Sequence, residues 1–241
     1  MTGAGRGLGA AIVRRLAAEG HAVAVNDHAA GFAAADALAG ELRAAGAPVI
    51  ALDADATDET AVAGLVARAE HELGGVRTLV VNATGPQPPL TVDELDWPAM
   101  LDQLRFFVKS PLVLLRAVLP GMRARRHGRV IQVGSDIVER APAGMSAYVA
   151  AKAAQHGLTR SWARELGPSG ITVNLVAPGW IPVERHAGVE AGLLSGYLAD
   201  VPLARLGIPD DVAGVVAFLA SDAAAFITGE RITVNGGHTI D

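Results

Sequence analysis

Cysteine is absent from this 241-residue chain, which excludes disulfides, thiol chemistry and thiolate metal sites. The seven histidines show neither HxxxH nor HExxH spacing, so no metal site is expected. No apolar run approaches the roughly 20 residues of a membrane span, and no charged-then-apolar leader opens the chain. A cytoplasmic protein without a membrane partner is expected. A net charge of −5 offers no basic footprint for nucleic acid. The one basic cluster, RARRH at 123–127, reads as the solvated end of a helix before a turn at Gly128. Repeats and low-complexity linkers are missing too, and the length suits a single domain spanning 1–241 with one substantial core.

Alternation is what the chain does have. Short apolar, β-branched runs (HAVAVND, APVIALDA, TLVVNA, GRVIQVGS, ITVNLVAPG and RITVNGG) alternate with longer Ala-rich helical patterns. The runs are apolar at both alternations, as strands covered on both faces must be. This predicts an α/β fold, a doubly wound parallel sheet flanked by helices. AAGFAAADALAGELRAAGA keeps a helical leucine stripe and is therefore expected to be a helix.

Lysine and tyrosine are scarce, two of each, yet one of each falls in AYVAAKAAQ as Tyr148 and Lys152. Residues four apart on a helix share a face, so phenol and ammonium point into the same space. A neighbouring ammonium favours the phenolate and brings the tyrosine towards working pH as an acid/base. Arginine is unsuited to the task, because its pKa stays above about 12. Ser135, delivered by the strand RVIQVG, is placed to hydrogen-bond the same substrate oxygen. The competing reading is a chance pairing on a surface helix.

The opening TGAGRGLGAAIVRRLAAEG is a glycine-rich loop running into a helix. Gly3 permits the tight turn, Gly7 lets the backbone approach a pyrophosphate, and Gly9 lets the helix pack close. Asp27 ends the next strand, about where the ribose-binding carboxylate of a dinucleotide site belongs; alternatively it closes the strand or caps the following helix.

Taken together, TGAGRGLG, the GS at 134–135 with YVAAK at 148–152, ITVNLVAPG and the C-terminal third resemble the short-chain dehydrogenase/reductase family, in particular 3-oxoacyl-acyl-carrier-protein reductase-like enzymes. The resemblance implies a Rossmann-type fold and an NAD(P)-dependent oxidoreductase interconverting a ketone and a secondary alcohol. It makes Tyr148 the acid/base, Ser135 the orienting hydroxyl and Lys152 both the tuner of Tyr148 and a ribose ligand. Gly3, Arg6, Gly7, Leu8, Gly9, Asp27, Asp55, Ala56, Asn82, Tyr148, Lys152, Pro178 and Gly179 are the implied cofactor contacts. Asp55 would meet the adenine, or serve as an exposed helix N-cap.

Four departures accompany the resemblance. The family's first strand, central in its sheet, has no counterpart before Thr2, and its loss would leave two buried strand edges unpaired. A start codon placed too late, or a chain trimmed of about five to eight residues, is the expectation. The family's active-site asparagine falls on Phe107 when counted back from PGMRARRHGRV and on Leu104 when counted forward from Trp97, as if three residues were inserted; either Gln103 or Lys109 substitutes, or the proton relay is absent. Thr84 displaces a glycine in VNATG, and Val183 stands where a threonine usually follows PG.

Asp27 repels a 2′-phosphate and favours NAD, whereas Arg6 could pair with that phosphate and keeps NADP open. The segment from about 180 to 201 is the expected substrate lid. Its Trp180, Leu193, Leu194 and Tyr197 would make the pocket apolar, or simply pack, and Arg185 and His186 either add charge or are solvated. The substrate is a small carbonyl or alcohol. A homo-oligomer, tetramer or dimer, is expected from the family and from the apolar helix faces in LVLLRAVLPGM and AAKAAQHGLTRSWARE. The alternative function is a dinucleotide-binding sensor with weak or lost turnover.

Overall fold

A computed structural model describes residues 1–184 and 191–240. Each apolar run becomes a strand: β1 (Val23–Asp27), β2 (Val49–Asp53), β3 (Thr78–Val81), β4 (Gly128–Val133), β5 (Ile171–Pro178) and β6 (Arg231–Val234). All pairings between them are parallel. β4 and β5 are buried at every residue, which is why their sequences read apolar without alternation.

Helices fill the connections: α1 (Gly7–Ala18), α2 (Ala29–Ala44), α3 (Glu59–Leu73), α4 (Trp97–Leu104), α5 (Ser110–Arg125), α6 (Ile137–Arg140), α7 (Ser146–Leu166), α8 (Ala191–Ala199) and α9 (Pro209–Ala220). Side chains from α1, α2 and α9 build the core on one face of the sheet, and those from α3, α5 and α7 build it on the other. No helix among the described residues is long and apolar enough to cross a membrane.

Local chemistry sets the helix ends. Asp58 caps α3 by accepting from the Ala61 N–H at 2.7 Å, and Asp96 caps α4 through Ala99 at 2.9 Å, each satisfying an otherwise orphaned donor. α5 ends two residues before the end of the basic cluster. The reversal is made by Arg126, at φ 50°, and Gly128 already belongs to β4. Gly128 is needed for space instead, since a Cβ there would meet the Met122 side chain at 2.6 Å.

At the sheet centre, residues 1–4 pair in part with the strands on either side. Strand order is β2-β1 in one ladder and β3-β4-β5-β6 in another. Residues 1–4 lie between β1 and β3: Thr2 forms a parallel bridge with Asn26, its N–H donates to the Val80 carbonyl at 3.2 Å, and Ala4 N–H donates to the Asn26 carbonyl at 3.0 Å. Beyond Met1 the two strands border a cavity of about 340 Å³, lined by residues including Val23, Leu65, Val66, Leu79, Leu114 and Val118. The Met1 α-amine sits at its edge, donating to the Ala24 carbonyl at 2.9 Å. Burial lowers its pKa from 8.0 to about 6, because the charged form loses its hydration.

Candidate active site

The C-terminal ends of β1, β3, β4 and β5 converge on the start of α1, the position where open α/β sheets bind ligands. Gly3, at φ 59°, makes the turn out of the sheet, and a Cβ on it would lie 2.7 Å from Ala83 Cα. Gly9 packs directly on the carbonyl of Gly3, leaving no room for a side chain. Gly7 has φ 53°, so here glycine serves conformation as well as access.

Three polar side chains hold this loop. Asn82 Nδ2 donates to the Gly3 carbonyl at 2.8 Å and to Thr2 at 3.2 Å. Thr2 Oγ1 accepts from the N–H groups of Asn82 and Ala83, both at 3.1 Å. Asp27, buried at the end of β1, accepts from Gly5 N–H at 3.1 Å and from His28 N–H at 3.0 Å. Gly31 packs against the Asp27 carboxylate so closely that a Cβ would overlap it. The cap of α2 itself is His28, whose Nδ1 accepts from Ala30 N–H at 3.2 Å. Each carboxylate oxygen of Asp27 keeps acceptor capacity beyond its one N–H.

These residues fit a dinucleotide. No side chain caps α1, whose first turn carries no acidic residue, so its N–H groups and the positive end of its dipole remain suited to phosphates. Arg6 is exposed at the N-cap, and Leu8 is partly buried against the core. Asp55 is exposed and accepts from Thr57 N–H at 2.8 Å within a turn, beside buried Ala56. The helix-cap reading of Asp55 is therefore wrong, since Asp58 caps α3.

Ser135 follows β4, and its Oγ accepts from the Ile137 N–H at 3.2 Å. Tyr148 and Lys152 lie one turn apart on α7, with Lys152 Nζ 5.8 Å from the Tyr148 ring centroid. Lys152 is buried and donates to the Val133 carbonyl at 2.8 Å. Pro178 ends β5 and accepts from Asp136 N–H at 3.0 Å; Gly179 N–H donates to Val234 at 3.0 Å. A Cβ on Gly179 would collide with the Tyr197 hydroxyl.

Of the two positions on which the asparagine count falls, Phe107 faces Tyr148. A π-helical turn, Arg105–Lys109, joins α4 to α5 and takes up one extra residue; Ser110 N–H reaches back five residues to Arg105. Phe107 is turned inward, 1% exposed, with its ring 5.3 Å from that of Tyr148. Lys109 is exposed and does not serve as a replacement there. Gln103 is buried, donating to the Pro86 carbonyl at 2.8 Å while its Oε1 is unpartnered; it shares a small cleft with Tyr148.

Thr84 is exposed and accepts from the Gln87 amide at 2.5 Å, so its extra bulk points to solvent. Val183 lies near Gly7, where a built Cβ would meet it at 3.3 Å. Of the lid residues, Trp180 and Tyr197 pack edge to face at 5.5 Å, and Tyr197 stacks on His238 at 4.3 Å. Both rings thus carry the packing role left open by the sequence. Arg185 and His186 lie outside the described residues.

Asp136 was not legible as a site residue. Fully buried beside Ser135, it pairs with Arg140 at 3.1 Å and accepts from Asn235 at 3.2 Å, which ties the serine loop to the C-terminal segment. Its only sequence signal is a carboxylate next to Ser135 in the loop after β4.

The profile of the enoyl-(acyl carrier protein) reductase family matches residues 3–239. A cis-4-hydroxycyclohexanecarboxylate dehydrogenase from Sinomonas cyclohexanicum is 39% identical over 239 residues, covering 99% of this chain and 95% of that one. A 3-oxoacyl-[acyl-carrier-protein] reductase from Staphylococcus aureus is 38% identical, covering 98% and 96%. The Escherichia coli enzyme of the same name is also 38% identical, covering 98% and 95%. With its glycine loop, β4 serine and α7 tyrosine–lysine pair in the order and setting described, this chain belongs to the short-chain dehydrogenase/reductase family, the NAD(P)-dependent oxidoreductases of CH–OH and C=O groups.

Proposed function

We propose that the chain interconverts a ketone and a secondary alcohol on a small molecule, with Tyr148 as acid/base and NAD favoured over NADP. The observation that carries the reading is the Tyr148–Lys152 pair on α7, the ammonium buried and fixed on the Val133 carbonyl. When bound, a nicotinamide dinucleotide supplies or accepts the hydride. In reduction the Tyr148 hydroxyl gives its proton to the developing alkoxide; in oxidation the phenolate takes it from the alcohol. Ser135 Oγ already accepts from Ile137 N–H, which turns the hydroxyl hydrogen towards the substrate oxygen as a donor. Lys152 holds positive charge beside the phenol and favours its ionised form.

Asp27 supports the preference for NAD. Its buried carboxylate is fixed at the end of β1 by Gly5 and His28, and a 2′-phosphate brought against it would meet a like charge in a partly desolvated place, a penalty of several kcal/mol by order of magnitude. Arg6 is exposed and steers phosphate in general. The names of the relatives suggest a first substrate panel of cyclic hydroxy acids and 3-oxoacyl thioesters.

Tyr148→Phe tests the assignment. It removes the proton and keeps the ring, so kcat should fall 100-fold or more, roughly the loss expected for a deleted acid/base, with cofactor affinity within about twofold. Retention of a tenth of the wild-type kcat would show that another group moves the proton.

A further inference from the structure

A buried ammonium must be satisfied, and hydrogen bonds are one of two ways to do it. Lys152 Nζ donates to the Val133 carbonyl at 2.8 Å and stands 4.0 Å from the centroid of the Phe107 ring. The same ring meets the Tyr148 ring at 5.3 Å with an interplanar angle of 65°. Phe107 thus lies against both partners of the proton-transfer pair.

Phe107 reaches this position only because of the π-helical turn. In that turn Arg105 and Lys109 face outward, whereas Phe107 is buried. π turns are rare and concentrate at functional sites. Leucine would satisfy a purely packing role, but an aromatic face also presents negative potential to a cation.

We propose that Phe107 is a positioning residue, holding the Lys152 ammonium over its ring face beside Tyr148. The inference rests on the acid/base reading of Tyr148. Phe107 cannot pass a proton, so it keeps the ammonium charged and dry at one place, and the field at the phenol is set by an aromatic ring rather than by a hydrogen-bonded relay. His156, one turn further along α7, is held below its usual pKa by burial first, then by Arg231 on β6, and so stays neutral near pH 7. Arg231 itself pairs with Glu139 on α6.

The protein has two lysines, Lys109 exposed and Lys152 buried, so lysine labelled with ¹³C at Cε gives two separable NMR signals. Replacing Phe107 by 3,4,5-trifluorophenylalanine keeps the shape and withdraws charge from the ring face; Phe107→Leu removes the ring. The Lys152 pKa should fall in both proteins, by about half to one pH unit with the fluorinated ring, the span a desolvated cation–π contact supports. The acidic limb of the pH profile for alcohol oxidation should move upward in the same order. An unchanged Lys152 titration in the fluorinated protein would overturn the proposal, even if Phe107→Leu perturbed it, because shape alone would then account for the effect. These titrations need no cofactor or turnover. Failure of the acid/base reading would appear separately, as activity surviving in Tyr148→Phe.

Discussion

Asp27 accepts a hydrogen bond from the backbone N–H of Gly5 at 3.1 Å, so the carboxylate that ends β1 also braces the glycine loop. From sequence alone, Asp27→Ala would relax the cofactor preference without touching the pyrophosphate site. The hydrogen bond predicts two effects instead. The preference for NAD over NADP should drop, and affinity for both should weaken as Gly5 loses its anchor. Hydrogen bonds to charged groups contribute about 1.5 to 3 kcal/mol, so a loss of roughly 10- to 100-fold in kcat/KM with NAD is expected. KM for both cofactors in both proteins checks it; a wild type that prefers NADP would refute the cofactor assignment.

The cavity between β1 and β3 predicts the effect of added chain. Appending about six apolar, β-prone residues before Met1 should place a strand in the space bordered by Val23 and Leu79, satisfy both strand edges and fill the cavity. Each large side chain buried there is worth roughly 1.5 to 3 kcal/mol, and net stability is only about 5 to 15 kcal/mol for a typical domain. The melting temperature should rise markedly, and NAD affinity with it, because the glycine loop starts from this strand. Equal melting temperatures and affinities would refute it.

The buried amine of Met1 gives a pH signature in the 241-residue chain. Its pKa lies near 6 in the folded state against 8.0 for the ordinary group, so between these values the unfolded chain binds more protons. Stability must therefore rise with pH across this window and level off above about 8. A shift of two units corresponds to about 2 to 3 kcal/mol by order of magnitude. Urea unfolding at pH 6.5 and 8 measures most of it. The extended protein, whose residue 1 is an amide, should lose this dependence.

Association between copies is also expected. Most apolar side chains of α5 are buried within the chain, and Leu112, 42% exposed, is the main exception. Phe226 is fully exposed after α9, where Phe218 is 41% exposed. We expect a homo-oligomer by sedimentation at micromolar concentration, with Phe226→Asp shifting it towards smaller species. A monomeric wild type would refute the expectation.

What the sequence by itself determined is what local chemistry dictates. Short apolar, β-branched runs between helical patterns marked all six strands; a tyrosine and a lysine four apart on a helix must share a face; and the run of glycines at 3, 5, 7 and 9 marked the turn into α1. Tertiary structure decided everything that depends on residues far apart in the chain. Counting in sequence left Phe107 and Leu104 equal, because a π turn changes which residue faces inward without leaving a mark in hydrophobic periodicity. Thr2 bridges β1 and the loop after β3, eighty residues away, which no local pattern announces. Asp136 looked like any acidic loop residue until Asn235 and Arg140 met its carboxylate. A buried polar group shows its role only through its partners, and those partners come from other strands and helices.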